Sequence, residues 1–146
     1  MFRNQIEQKL YKEPNFIGVF ARNTLPREIK TRPFALICNT DLIQEPGTHW
    51  IAIYCDKNGI GEYFDSYGLP PLYTEFEHFL YRNCPNGYMH NRIPLQCLDC
   101  VTCGEYCVAY VIFRLHNRSY ADFISLFTTN PNINDKIIKY YFKKYL

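Results

Sequence analysis

The sequence predicts an α+β domain in which a small mixed sheet packs on one central, buried helix. Three observations carry this expectation. Apolar runs rich in β-branched and aromatic residues crowd residues 16–65, two of them around an Asn-Gly turn. Apolar residues recur at helical spacing on both sides of that region. The most continuous apolar stretch, Tyr106–Phe113, is eight residues and fits a buried helix. It falls far short of the roughly 20 residues that cross a bilayer. A helix, then strands, then helices argues for α+β rather than alternating α/β.

In chain order, residues 2–10 place Phe2, Ile6 and Leu10 at i, i+4, i+8, a short amphipathic helix. Phe16–Phe20 (FIGVF) is a strand candidate. Pro33 opens FALIC at 34–38, a continuous apolar run that suits a strand buried on both faces. THWIAIYC (48–55) and IGEYFD (60–65) flank Asp56-Lys57-Asn58-Gly59 and read as a β-hairpin. Leu72, Phe76, Phe79 and Leu80 mark a helix over 72–82, and Cys84-Pro85-Asn86-Gly87 a turn. Ile93–Gln96 is expected as a short strand, 103–116 as a mostly apolar helix and 119–127 as a shorter one. A last helix over 132–146 carries Ile133, Ile137, Ile138, Tyr141 and Phe142 on one face.

A length of 146 residues fits a single domain spanning 1–146. Hydrophobic residues at 47% and charged residues at 21% exclude a disordered or fibrous chain. A net charge of +2 does not by itself announce nucleic acid or a membrane surface. Charges interrupt the first ten residues where a leader would need an apolar core, and no membrane span is visible. The seven cysteines are an odd number, so mostly free thiols in a reducing compartment are expected. The expected location is intracellular (nucleus, cytoplasm or a virion) rather than secreted.

Chemistry concentrates at four positions. A four-residue hairpin loop at 56–59 sets His49 opposite Ser66, one position from Asp65. A carboxylate there fixes the imidazole tautomer and leaves the other ring nitrogen free as a base. Thr102-Cys103-Gly104-Glu105 fits a capping box, with Thr102 as N-cap and Cys103 as the first helical residue. The positive end of a helix stabilises a thiolate, the reactive form. Gly104 lets a substrate carbonyl approach the backbone, and helix-start N–H groups bind an oxyanion. Gln96 offers a side-chain amide to the same oxyanion.

In this order (His-Trp, aromatic-Asp on the next strand, Gln, then Cys-Gly opening a helix) the chain resembles the adenovirus endopeptidase family. That family lies within the wider clan of ubiquitin-like (SUMO-specific) proteases and occurs in viruses and large DNA transposons. The matching pieces are FIGVF at 16–20, ALICNT at 35–40, PGTHWIAIY at 46–54, EYFDSYGLPP at 62–71 and TCGEYC at 102–107. They cover most of residues 16–116. The resemblance implies that fold, with Cys103 as nucleophile, His49 as general base then acid, and Asp65 as orienting carboxylate, where adenovirus enzymes usually have Glu. It implies Gln96 at the oxyanion hole and Trp50 beside the substrate channel, for which a plain core position is an equal alternative. Cleavage of protein substrates after small residues such as Gly is implied, in viral or transposon protein maturation. Deconjugation of ubiquitin-like modifiers is the alternative. Asp65→Asn is expected to keep the fold and misorient His49.

The family's chemistry needs no cofactor, but it implies two activators. One is a peptide tethered by a disulfide, with Cys84 in the comparable place; a packed structural thiol is the preferred alternative. The other is DNA, for which Lys136, Lys139, Lys143 and Lys144 offer a basic helical face. A solvated face is again preferred. Cys97, Cys100, Cys103 and Cys107 also match the C-x₂-C-x₂-C-x₃-C spacing of ferredoxins. No Pro follows Cys107, no second run exists, and two of the four fall inside the expected helix. A Cys-rich metal or Fe–S protein is therefore the lesser alternative, and no metal site is expected.

Overall fold

The computed structural model describes residues 1–146. The apolar run after Pro33 forms strand β2 (Phe34–Asn39), with β1 (Phe16–Ala21) parallel on one side and β3 (Trp50–Cys55) antiparallel on the other. Strand β4 (Gly61–Phe64) completes the hairpin with β3, and β5 (Tyr88–His90) closes the sheet in parallel, in the order β1-β2-β3-β4-β5. The mixed five-stranded sheet and its flanking helices match the predicted α+β class.

Every residue of β2 and β3 is buried, as a continuous apolar run requires. One face of the sheet carries Ile37, Ala52, Tyr54 and Phe64 against α3 (Cys103–Leu115), the central helix. Helices α1 (Arg3–Leu10), α4 (Tyr120–Ile124) and α5 (Pro131–Tyr145) complete that layer. The other face carries Leu36, Ile51, Ile53 and Tyr63 against Phe76, Phe79 and Leu80 of α2 (Thr74–Asn83). The expected helix over 119–127 is only five residues, and the expected apolar face of α5 includes buried Asn134 and Asp135, while Ile133 lies exposed.

Two expectations about the sheet fail. Ile93–Gln96 is not a strand; Pro94 there has no N–H for a ladder, and the fifth strand forms at Tyr88–His90 instead. The hairpin register is also shifted by one residue. Ala52 pairs with Phe64 and Cys55 with Gly61, because the loop is five residues, Asp56–Ile60. The Asp56 carboxylate accepts from the Asn58 and Ile60 amides (2.8 and 2.9 Å), and Gly59, at φ +78°, supplies the left-handed bulge residue.

A buried ion pair ties α3 to the sheet. Arg114 donates twice to Glu62 (Nε–Oε1 2.9 Å, Nη2–Oε2 2.7 Å), Tyr110 donates its hydroxyl to the same carboxylate, and the guanidinium lies over the Tyr54 ring. Glu62→Ala strands a guanidinium and a hydroxyl in the core, and should cost about 2–4 kcal/mol in denaturant unfolding. A loss below about 0.5 kcal/mol would show the pair idle.

Candidate active site

The shifted register is what joins His49 to Asp65. Directly paired residues share a face, so odd-numbered positions of β3 and of β4 point the same way. His49 and Asp65, just beyond the ends of the two strands, thereby become neighbours. The His49 Nε2–Asp65 Oδ1 distance is 2.9 Å. The position opposite His49 falls to Tyr67 rather than Ser66, and the Tyr67 ring stacks on the imidazole at 4.8 Å between centroids.

Asp65 is itself fixed. Its Oδ1 also accepts from the Tyr67 amide (2.8 Å), and its backbone carbonyl accepts from the Asn91 side chain (2.9 Å). Asn91 is held in turn by the Tyr120 hydroxyl and the Ile93 amide. With Nε2 committed to Asp65, Nδ1 is the nitrogen left for a thiol.

That thiol is Cys103, the first residue of α3 and 7% exposed. The capping box does not form: Thr102 donates its hydroxyl to Asp135 (2.8 Å) rather than accepting from the first turn. The first-turn N–H groups are left uncapped, which preserves an anion site at the helix start. Burial pushes the Cys103 thiol up, but the His49 ring and the Trp50 backbone outweigh it, and the thiol ends below its ordinary value. Burial pulls the His49 imidazole down, while Asp65 and Cys103 together raise it to about 9. At neutral pH these shifts favour imidazolium beside thiolate.

His49, Cys103, Gln96 and Trp50 all line one cavity of about 620 Å³. Gln96 is buried and oriented: Ser66 Oγ donates to its Oε1 (2.6 Å) and its Nε2 donates to the Cys100 carbonyl (2.6 Å). One amide hydrogen is thus already committed. Trp50 meets both readings, since it packs in the α3-side core and also walls the cavity, donating its indole N–H to the Met1 carbonyl (2.9 Å). The expected approach of a substrate carbonyl at Gly104 is not seen: Met1 packs there instead, a Cβ on Gly104 would lie 2.6 Å from the Met1 Cβ, and Gly104 does not line the cavity.

Sequence reasoning missed Asn39. Its Oδ1 accepts from the Asp41 amide, while its buried Nδ2 has no partner and the residue walls the cavity. Only its place in the ALICNT run pointed to it.

Other expected residues lie elsewhere. Cys84 is 4% exposed, beside Cys55 and so close to Gly61 that a Cβ there would come within 2.5 Å of its sulfur. A tethered peptide cannot reach that thiol without opening the turn after α2, so the packed reading stands. Lys136, Lys139, Lys143 and Lys144 are exposed on α5, and none lines the cavity. No helix is long and apolar enough to cross a membrane.

No family model matches the chain. It is 30% identical over 116 residues to the cysteine protease S273R of African swine fever virus, covering 68% of this chain and 40% of that protein. It is 32% identical over 109 residues to the putative thiol protease R355 of Acanthamoeba polyphaga mimivirus, covering 68% and 36%. The crystal structure of the African swine fever virus pS273R protease superposes with a TM-score of 0.59 at 27% identity, over 78% of this chain and 44% of that one. The chain has a viral cysteine-protease fold. It is a distant homologue of these viral cysteine proteases, and it spans about 40% of the length of the S273R protein.

Proposed function

We propose that the chain is a cysteine endopeptidase that cleaves peptide bonds after small residues, with Cys103, His49 and Asp65 as its triad. The observation that carries this is the held imidazole, with Nε2 on Asp65, beside a lowered thiol at the start of α3 in one cavity. The Cys103 thiolate attacks the scissile carbonyl. The Cys103 backbone N–H and the remaining Gln96 amide hydrogen face the developing oxyanion. His49 gives its proton to the leaving amine, then takes one from the water that hydrolyses the thioester. Trp50 and Tyr67 narrow the cavity, which favours Gly at the cleaved position. The chemistry is complete without a cofactor. Maturation of viral or transposon proteins is the substrate class proposed from the family resemblance; the alternative, deconjugation of a ubiquitin-like modifier, accords with the name SUMO-1 cysteine protease that some S273R relatives carry.

Fluorogenic peptides carrying Gly before the scissile bond should turn over, and the same peptides with Leu or Phe there should not. Absence of turnover of any peptide, with Cys103 unreactive to iodoacetamide, would sink the reading. The rate should rise with pH as the thiol ionises and fall as His49 loses its proton near pH 9. The stability contribution of His49 has the same upper limit. Its folded value lies above the ordinary 6.5, so the contribution is full below 6.5 and is lost as pH rises through about 9. A rate that is flat from pH 7 to above 10 would contradict the ion pair.

DNA activation rests on the family resemblance and the exposed α5 lysines. Lys143→Ala with Lys144→Ala should weaken DNA binding at low salt if that face is used; unchanged affinity removes it from the proposal.

A further inference from the structure

Outside the triad, the Cys97–Cys100 turn meets a carboxylate from the far end of the chain. The Cys100 amide donates to the Cys97 carbonyl (3.2 Å), which brings the two side chains to one side of the loop before α3. The Cys97 and Cys100 sulfurs and a carboxylate oxygen of Asp135, on α5, all lie within 4.8 Å of one another. We propose that Cys97, Cys100 and Asp135 form a binding site for a thiophilic divalent cation, zinc(II) by its ligand chemistry.

Asp135 is 4% exposed, yet no lysine, arginine or histidine pairs with it. Its partners are neutral donors: the Cys97 amide (3.0 Å), the Thr102 hydroxyl (2.8 Å) and the Tyr106 hydroxyl (3.0 Å). A buried carboxylate without a counter-charge is costly, and a divalent cation supplies one. The same three donors orient the carboxylate, as second-layer contacts orient metal ligands. Bonds of about 2.3 Å to sulfur and about 2.1 Å to oxygen separate tetrahedral ligand atoms by about 3.6–3.8 Å. Closing the three onto one ion takes about an ångström of movement at half-exposed side chains. Binding releases the two thiol protons and leaves a fourth position for water. Two thiolates with one carboxylate select zinc over calcium or magnesium.

The ion would pin the 97–102 loop to α5. That loop carries the Cys100 carbonyl that holds Gln96, so metal would set the wall of the cavity. The site does not depend on the protease reading, and its test reads metal alone.

The test uses the full chain with Cys103→Ala, which removes the cavity thiol from the readout. The reduced protein, stripped with a chelator, is titrated with cobalt(II) and then zinc(II). The expected result is one equivalent of cobalt with a near-ultraviolet thiolate-to-cobalt charge-transfer band, displaced by zinc. Cys97→Ser and Cys100→Ser should each weaken binding at least tenfold, and together abolish the band. Asp135→Asn should weaken it as well; if that buried change unfolds the chain, the two cysteine variants carry the test. No charge-transfer band, or a band that survives the double Cys97→Ser/Cys100→Ser change, overturns the site.

Discussion

Cys103→Ala should abolish turnover and leave the fold standing. Loss of the nucleophile removes the covalent route altogether, and rate falls of roughly 10⁴–10⁶-fold are usual for such changes. The structural cost is small. One sulfur is deleted from a side chain that is 7% exposed at a helix start, about 1 kcal/mol at most by the scale of single-atom core deletions. Alkylation by iodoacetamide gives a second readout, taken in a Cys97→Ser background because Cys97 is half-exposed; the remaining thiols are poor competitors. Cys38 and Cys107 are buried and pushed up by burial. Cys55 is lowered by its contact with Cys84 but is fully buried. Asp135 and Cys97 push Cys100 up to about 12. Fast labelling of the Cys97→Ser protein should therefore vanish with added Cys103→Ala and slow markedly with added His49→Ala. Equal labelling in all three proteins would remove Cys103 from the nucleophile's role.

Asp65→Ala and Asp65→Asn should separate two jobs of one carboxylate. Both the His49 ring and the Tyr67 amide meet the same oxygen, Oδ1. An Asn side chain keeps that oxygen, pinned by the Tyr67 amide, and so keeps the imidazole in place. It loses only the negative charge. The misorientation that the sequence suggested for Asp65→Asn is therefore not expected. His49 should instead fall from about 9 toward its ordinary value, weakening the ion pair roughly tenfold per unit. The alkaline limb of the rate profile should move down with it. Asp65→Ala removes orientation and charge together, and should cost on the order of 10³–10⁴-fold in kcat/KM. Equal losses in the two variants would mean that charge alone matters; a wild-type rate for Asp65→Ala would dismiss the residue.

Local signals in the sequence pointed to most of this arrangement. The all-buried β2 run and the hairpin around Asn58-Gly59 each follow from patterning within about ten residues, and α3 starts at Cys103 as expected although the cap that suggested it does not form. What was not legible required contacts between distant segments. Thr102 looked like a cap because its competitor, Asp135, lies 33 positions away. Ile93–Gln96 looked like a strand, but Asn91 and the Ser66 carbonyl capture that backbone as a loop. The third member of the Cys97–Cys100 group was hidden for the same reason, since nothing local links it to α5.

The five-residue turn at Asp56–Ile60 lies at the opposite end of the hairpin from His49 and Asp65. Its length nevertheless governs their meeting, because strands advance by alternation. Deleting or inserting one residue there slides β4 past β3 and turns Asp65 toward the other face. Surface turns ordinarily tolerate such edits. This one counts out the spacing for the site, so length changes in it should be silenced in any active descendant of the sequence unless a compensating bulge restores the count. Grafted peptides or reporter insertions belong elsewhere on the surface.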